Sequence, residues 1–407
     1  MILKETLRSV VKSQRGELQK LEQGVRREAL EKLDLAIPLA LVVTGVRRCG
    51  KSTLLLQAMR RQKGFYYFNF EDSRTSGFTA QDFDKLDAVL QEEFGDNDQY
   101  FLDEVQSAEN WESFVRTKLD AKKRFAITGS NASLLSRELG SKLTGRHLNI
   151  ELFPFSYDEF LAFERAKPNP KSLQEYLQKG GFPGYLKLER PDVLQQLLND
   201  ILARDISVRH GIRNTRTLKE MTIYLLSNLG KEFSYNALKR TFELGSVNTA
   251  IDFVSYLEDS YLLFTVPKFS YSLKKQAVGN KKAYCIDNGM AAANTASFST
   301  DAGRMLENAV FLQLRRRWKE IFYFKEENEC DFLVKEHGRI TTATQACREL
   351  NETNKDREVN GLVEALQEFK LERGTIVTLN QTEELEIEGK RINIVPACKW
   401  MTRNKRS

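Results

Sequence analysis

The stretch LALVVTGVRRCGKSTLLLQ, residues 39–57, decides the fold. An apolar, strand-like run ends at Gly45, and a helical pattern begins after Gly50-Lys51-Ser52. The spacing Gly-x-x-x-x-Gly-Lys-Ser is typical of a phosphate-binding loop between a strand and a helix. Glycines let the backbone curl so that successive N–H groups face an anion, and the helix adds the positive end of its dipole. The stretch therefore predicts a nucleotide site.

Two side chains of this loop have expected tasks in that site. Lys51 is expected to reach the β- and γ-phosphates of ATP, and the Ser52 hydroxyl is expected to ligate Mg²⁺. The alternative is a chance match in an ordinary strand–turn–helix. The strand before the loop and the helix after it supply the context that the motif needs.

Composition limits the class of protein. A chain of 407 residues predicts two to four domains, and a net charge of +6 permits nucleic-acid contact without requiring it. Five scattered cysteines with no C-x-x-C pair, and only three histidines, argue against a zinc site or a disulfide framework, so a reducing cytoplasm is expected. We find neither a signal-peptide core nor an apolar run near the roughly 20 residues of a membrane span.

The order of elements predicts several domains. Five apolar runs alternate with helical segments and predict a parallel sheet with right-handed crossovers; they are residues 39–45, 64–72, 98–106, 124–131 and 146–155. We divide the chain into N-terminal helices with a P-loop ATPase core, a helical lid, a winged helix-turn-helix domain and a restriction-endonuclease-like α/β domain. Their ranges are 1–150, 151–215, 216–295 and 296–407.

Two acids follow the third strand candidate. Asp103 and Glu104 end the run QYFLDE, at the edge of the sheet where the phosphate loop is expected. There Asp103 would hold Mg²⁺, directly or through water, and Glu104 would orient and deprotonate the attacking water. The alternative, a strand that ends in two solvated acids, loses weight because a phosphate loop precedes them.

The next strand candidate, FAITGSN, ends in Ser130 and Asn131. Either side chain would sense the γ-phosphate, although both residue types also cap helices, here the one beginning at ASLLSREL. Arg146 follows in KLTGRHL, and an arginine offered to a neighbouring subunit would stabilise charge in the transition state. A surface arginine, or one paired within its own subunit, is the open alternative.

These motifs together resemble those of prokaryotic AAA+-type P-loop ATPases that end in a nuclease-like C-terminal domain. The matching stretches occur in order along nearly the whole chain: GVRRCGKST, NFED, FLDEVQ, ITGSNASLLSRELGSKLTGR, PFSYDEF, GGFPGYL and IDNGM…LENAVFLQLRRR…ECDFLV. The resemblance implies that Gly45 to Thr53 bind ATP phosphates, that Ser130 or Asn131 is the sensor, and that the chain forms homo-oligomers. It also implies that Gly181 and Pro183 of GGFP lie near the adenine base.

The winged-helix candidate has a basic wing and an acidic recognition helix. The wing carries five lysines suited to phosphate contact without sequence readout, namely Lys268, Lys274, Lys275, Lys281 and Lys282. The helix carries Asp252, Glu258 and Asp259, which suit a major groove poorly. A role in packing or oligomer contacts therefore stays open.

The last domain resembles the PD-(D/E)xK nuclease fold with a defective site. Glu307 and Asp331 provide two acids, but Gln345 and Cys347 stand where an acid and a lysine are expected. We expect no competent cleavage, unless Glu329 or Glu349 restores a metal site. The cations of LRRRWK, residues 314–319, still suit weak, sequence-independent DNA binding.

The leading hypothesis is an Mg²⁺-dependent ATP-binding and ATP-hydrolysing protein whose C-terminal modules engage DNA or a protein partner. An ATP-dependent nuclease and a slow nucleotide-dependent signalling switch are the alternatives. The nearly complete ATPase motif set favours the first and third, and the Gln-Ala-Cys sequence at 345–347 counts against the second.

Overall fold

A computed structural model describes residues 1–129, 143–296 and 301–402. The chain divides into two compact units, Met1–Phe153 and Pro154–Ser407. We describe each unit by itself.

The first unit is built on a five-stranded parallel sheet. Its strands are β1 (Ala40–Thr44), β2 (Tyr66–Asn69), β3 (Gln99–Asp103), β4 (Arg124–Gly129) and β5 (His147–Glu151). Their order across the sheet is β2-β3-β4-β1-β5, and every neighbouring pair is parallel. The predicted parallel α/β sheet is confirmed. Because β4 lies between β1 and β3, the loop after β1 and the acids after β3 flank the end of β4.

Among the described residues of this unit, four α-helices and an aromatic core pack around the sheet. The helices are α1 (Lys4–Lys20), α2 (Lys51–Met59), α3 (Asp82–Phe94) and α4 (Trp111–Asp120). One face of α1 buries Leu7, Val10 and Val11 in the same apolar cluster as the strand residues Phe68 and Tyr100. The N-terminal helix expected from the sequence is therefore an integral part of the core, which holds the sheet and its loops in place.

The second unit begins with helices. They are α5 (Tyr157–Glu164), α6 (Pro170–Lys179), α7 (Pro183–Leu188) and α8 (Pro191–Asp200), which runs into a π-helical segment (Ile201–Val208). Then follow α9 (Thr215–Ser227), β6 (Glu232–Phe233), α10 (Tyr235–Thr241), α11 (Val247–Asp259), β7 (Leu263–Pro267), α12 (Leu273–Val278) and β8 (Lys281–Cys285). Strands β6, β8 and β7 form a small antiparallel sheet in that order.

A mixed six-stranded sheet completes the second unit. After α13 (Asn288–Asn294) and α14 (Ala302–Arg315) come β9 (Ile321–Lys325), β10 (Glu329–Glu336), β11 (Arg339–Ala346), α15 (Lys355–Glu368), β12 (Arg373–Thr378), β13 (Glu383–Ile387), β14 (Lys390–Pro396) and α16 (Ala397–Trp400). The strand order is β13-β14-β12-β11-β10-β9, with parallel pairing only on the two sides of β12. Helix α15 packs its apolar face on this sheet through Val359, Leu362 and Leu366.

Within the described ranges, every helix is too short or too polar to cross a bilayer.

Candidate nucleotide site and charged pocket

The loop between β1 and α2 needs its two outer glycines. Gly45 has a φ of 153°, and a Cβ there would stand 2.1 Å from the Leu152 carbonyl oxygen. Gly50 has a φ of 101°, and a Cβ there would stand 2.7 Å from a guanidinium nitrogen of Arg27. Any other residue at these positions would combine backbone strain with a clash. The two glycines thus set the path of the loop.

Arg27 stabilises the phosphate loop through hydrogen bonds to backbone carbonyls, a role that the sequence did not predict. Its guanidinium is buried and donates to the carbonyls of Cys49 at 2.7 Å and Phe153 at 2.6 Å. Gln57 of α2 accepts from the Arg27 backbone N–H at 3.0 Å. The arginine therefore fixes the end of the loop against the chain that follows β5.

Lys51 begins α2 and folds back over its own loop. The side chain is buried, and Nζ donates to the carbonyls of Gly45 at 3.1 Å and Val46 at 3.2 Å. Its Nζ lies 3.9 Å from Glu104 Oε1. The ammonium is thus held between the loop and the acids after β3, and its predicted contact with phosphates stays a prediction. Thr53, half-buried, lies in the first turn of the same helix.

Asp103 ends β3 as a buried carboxylate with hydroxyl partners. The hydroxyls of Thr128 and Ser52 hydrogen-bond to it, and Tyr67 donates from 3.3 Å. Burial raises the pKa of Asp103 above its ordinary value, and the Thr128 hydrogen bond offsets part of that rise. The structure brings Ser52 and Asp103 together, as expected of two oxygen ligands that share one cation.

Thr128, near the end of β4, connects the two acids. Besides donating to Asp103, its Oγ1 accepts the backbone N–H of Glu104 at 2.9 Å. Glu104 itself has a left-handed φ of 52°, which turns its side chain out of the strand direction. We had placed the sensor at Ser130 or Asn131, and both lie outside the described residues. Thr128 was missed because a threonine inside an apolar strand looks like an ordinary strand residue.

The residues around Asp103 fit a hard divalent cation. Carboxylate and hydroxyl oxygens are the ligands that Mg²⁺ prefers, and Mg²⁺ is typically held by one or two protein groups plus phosphate oxygens. Asp103 and Ser52 would hold it, and its chemistry would be to neutralise charge on the phosphates. Lys51 and the loop N–H groups would orient those phosphates.

Arg146 lies at the amino-terminal ends of the parallel strands, whereas the phosphate loop lies at their carboxyl-terminal ends. It precedes β5, whose His147 pairs with Ala40 at the start of β1, whereas the loop follows the end of β1. Its guanidinium forms an ion pair with Asp120, and both side chains are exposed. Within one chain the geometry therefore keeps Arg146 away from its own loop, and its predicted action on a neighbouring subunit stays a prediction.

Gly181 and Pro183 belong to a hydrogen-bonded turn of the second unit. The Gly181 carbonyl accepts from Phe155 N at 2.7 Å, and Gly181 N donates to Asp287 Oδ2 at 2.6 Å. Pro183 opens α7. Asp287 also accepts from Met290 N at 2.9 Å, and burial raises the pKa of its carboxyl to about 6. The predicted contact of Gly181 and Pro183 with a base stays a prediction.

A charged pocket of about 610 Å³ lies in the second unit and includes the nuclease-like residues. Glu307 projects from α14 and Asp331 from β10, as the sequence predicted. The prediction that no lysine stands beside them is wrong, because β8 supplies Lys282. Its buried Nζ lies 3.1 Å from Asp331, 2.6 Å from Glu329 and 3.6 Å from Glu307.

Gln345 and Cys347 do not act as replacements for the missing acid and lysine. Gln345 Oε1 accepts from Asp331 N at 2.9 Å, while its amide donates to Glu358 at 2.6 Å. Cys347 is buried in the apolar cluster under α15, and burial raises the pKa of its thiol to about 12. Gln345 thus fixes Asp331 and Glu358 in place, and Cys347 is a core residue.

Charges in this pocket are strongly coupled. Burial, together with the nearby Asp331 charge, raises the pKa of Glu307 to about 7, and Tyr284 donates to it at 2.7 Å. Burial opposes the charge on Lys282, but the surrounding carboxylates, Asp331 and Glu329 among them, raise its pKa well above the ordinary value. Lys282 therefore stays protonated throughout the physiological range.

The predicted nucleic-acid cations need revision. Lys282 is buried and takes no part in a basic wing, Lys268 pairs with Glu326 at 3.2 Å, and Lys274 and Lys275 stay exposed on α12. In the arginine cluster, Arg316 donates to the Pro154 carbonyl at 2.9 Å. The Arg315 guanidinium lies 5.1 Å from the Phe264 ring centroid. Packing therefore occupies part of both surfaces.

Two family models match separate parts of the chain, and one solved structure is similar to it. The sequence profile of the AAA domain family AAA_14 matches residues 38–161, and that of a domain of unknown function (DUF8612) matches residues 170–301. The solved structure of a Walker-type ATPase of Pyrococcus abyssi is similar at 15% identity with a TM-score of 0.46, over 68% of this chain and 99% of that one.

Two full-length relatives extend the similarity to nearly the whole chain. An uncharacterized protein of Methanocaldococcus jannaschii (MJ1544) is 34% identical over 391 residues, which are 88% of this chain and 87% of the relative. An uncharacterized protein of Haemophilus influenzae is 29% identical over 384 residues, covering 88% of this chain and 93% of the relative.

Proposed function

This chain belongs to the family that includes the M. jannaschii relative, and from that premise and the AAA domain match at residues 38–161 we propose that it binds and hydrolyses ATP with Mg²⁺. The observation that carries the proposal is the convergence of Lys51, Ser52, Asp103 and Glu104 at one edge of the first unit's sheet. Lys51 is held 3.9 Å from Glu104, and Ser52 is hydrogen-bonded to Asp103.

Each residue has a separate task in the proposed reaction. Lys51 and the loop N–H groups bind the phosphates, while Ser52 and Asp103 hold the cation. Glu104 orients the attacking water and takes its proton. Thr128 positions both acids through its hydroxyl, and Ser130 or Asn131 senses the γ-phosphate. Gly181 and Pro183 contact the base.

The second unit is proposed to respond to nucleotide state by engaging DNA or a protein partner. Within residues 216–295 the order of a helix, a strand, two helices, a strand, the short helix α12 and a strand supports a winged helix-turn-helix. Residues 296–407 carry a nuclease-like order in which a helix precedes a mixed sheet. We propose that the division into a lid and two such modules is functional, with the last module degenerate as a nuclease.

A steady-state ATPase assay with and without DNA tests this function. Wild-type protein is expected to hydrolyse ATP only with Mg²⁺, and Lys51→Ala is expected to lose binding in calorimetry and to lose turnover. Lys63→Ala serves as the matched control, because Lys63 is an exposed lysine of the same unit. Equal ATP affinity in the Lys51 variant and wild type would refute the phosphate-loop assignment.

We propose further that Arg146 acts across a subunit boundary in a homo-oligomer. Arg146 precedes the start of β5, whereas the loop follows the end of β1, and this separation supports an action in trans. Mixing the inactive Arg146→Ala and Lys51→Ala proteins is expected to restore part of the activity. A fully active wild-type monomer, seen by light scattering during turnover, would remove the idea.

A further inference from the structure

Cations neutralise the acids at the floor of the charged pocket, by which we mean Glu307, Glu329 and Asp331. Lys282 pairs with Asp331 and Glu329, and Lys325 provides Glu329 with a second cation at 3.1 Å. Glu307, the remaining carboxyl of the floor, accepts from Tyr284 and has a pKa raised to about 7 by burial. An ammonium thus stands where carboxylates of a nuclease would bind a divalent ion.

The pocket walls contain two further acids, and each has its own arginine. Glu358 pairs with Arg357, and Asp301 lies 3.0 Å from Arg304. Glu358 also accepts from Gln345, so it is fixed by two partners. These acids do not present unpaired negative charge to a ligand.

Two exposed cations at the pocket are left over. Lys231, directly before β6, and Arg348, directly after Cys347, both line the cavity and are exposed. Among the described residues, neither side chain has an ion-pair partner. Lys231 and Arg348 therefore bring positive charge to the pocket that no ion pair among the described residues offsets.

We propose that this pocket binds the phosphodiester backbone of a single nucleic-acid strand without a metal ion, with Lys282 neutralising the acidic floor and Lys231 and Arg348 holding phosphates. The inference deepens the proposed engagement of nucleic acid and rests on that part of the proposed function, but not on ATP hydrolysis. A cavity of about 610 Å³ accommodates a few nucleotides of one strand. Because a phosphate would be repelled by unpaired carboxylates, the ammonium of Lys282 is essential to this site.

Anisotropy of a labelled oligo(dT) or oligo(U) strand tests the proposal on the full chain in EDTA and without nucleotide. Wild-type binding is expected to persist in EDTA. The double variant Lys231→Ala/Arg348→Ala is expected to lose at least tenfold in affinity. The slope of log K against log salt concentration should become shallower by about 1.4, because each single-strand phosphate contact contributes about 0.7 to it. Lys219→Ala/Arg373→Ala is the charge-matched control, since both residues are exposed in the same unit and do not line the pocket.

Lys282→Met is the more specific variant. We expect it to lose strand binding and to regain it on addition of Mn²⁺, because the carboxylates left without their lysine then take a cation. If this variant is unfolded by circular dichroism, the Lys231/Arg348 pair and its control still decide the question.

Several results would overturn the proposal. Undiminished binding in the Lys231/Arg348 variant, or an equal loss in the control, would show that the strand binds elsewhere. A need for Mg²⁺ or Mn²⁺ in wild type, or cleavage that disappears in Asp331→Ala, would make the pocket a metal-dependent nuclease. The strand titration is repeated with Lys51→Ala to separate this proposal from the ATPase proposal. Strand binding is expected to be unchanged in that variant, because it does not depend on ATP hydrolysis.

Discussion

Asp103 in the first unit and Asp331 in the second are both buried strand carboxylates with a lysine nearby, yet the two lysines are placed differently. Lys51 Nζ donates to loop carbonyls, and the hydroxyls of Ser52 and Thr128 contact Asp103. Lys282 Nζ lies directly against Asp331 at 3.1 Å. Because an ammonium and a divalent ion compete for the same oxygens, we expect Asp103 to be available to a metal and Asp331 not to be. In our proposal, the position of one lysine thus separates a metal site from a neutralised site.

Removing the base in the first unit should give the largest effect. Glu104→Gln keeps the shape of the side chain but cannot accept a proton, so turnover is expected to fall by roughly 100- to 10,000-fold. ATP affinity should change little, because Lys51 and the loop are intact. Glu109→Gln is the control, since Glu109 is an exposed acid of the same unit. A single-turnover assay checks this, and unchanged turnover would assign the role of base to another residue.

Removing the lysine of the second unit should cost stability. Lys282→Met leaves buried carboxylates without their cation, and breaking a buried ion pair typically costs about 3–5 kcal/mol in the free energy of unfolding. Asp331→Asn in the same chain should recover part of the loss, because one orphaned charge is gone. Urea denaturation at pH 7 measures both, with Lys274→Met as the exposed control. If Lys282→Met lowers the free energy of unfolding no more than Lys274→Met does, Lys282 is not an essential counter-ion.

The raised pKa of Lys282 gives this stabilisation a pH window. Its contribution is fully present below the ordinary lysine pKa of 10.5 and is lost only as the pH rises through the higher folded-state pKa. The lysine itself should therefore add no pH dependence to the difference between wild type and Lys282→Met at neutral pH, and a change near pH 7 would report the titration of Glu307.

Asp287 is a third buried carboxylate to compare with Asp103 and Asp331. It accepts hydrogen bonds from backbone N–H groups. Its pKa of about 6 exceeds the ordinary 3.8, so the folded state keeps a proton that the unfolded chain releases. Stability should then fall by about 3 kcal/mol as the pH rises from about 4 to 6. Asp287→Asn should flatten this slope in melts at several pH values, and the exposed Asp252→Asn should not. An unchanged slope would rule out Asp287 as its source.

Local spacing predicted what lies close in sequence. The loop glycines, Lys51 and Ser52 fall within eight residues, and Asp103 and Glu104 end an apolar run that could be recognised as a strand. Glu307 and Asp331 were found in the same way, on a predicted helix and strand.

Residues that reach a site from a distant element could not be predicted. Lys282 is 49 residues before Asp331, and Arg27 is 22 residues before Cys49, so only the packing of the elements brings them together. A weak signal existed, because Lys282 lies on the same face of its strand as Tyr284, and that strand continues into the apolar residues Cys285 and Ile286. Reading Lys282 as part of a basic wing ignored that alternation.

Counting bound Mn²⁺ tests the central claim most directly. Electron paramagnetic resonance on wild-type protein with a non-hydrolysable ATP analogue should show one tightly bound Mn²⁺ per chain, and Lys51→Ala should show none. The account predicts that Asp331→Ala leaves the count at one, because Lys282 already occupies the second unit's carboxylates. A second Mn²⁺ in wild type that disappears in Asp331→Ala would contradict it.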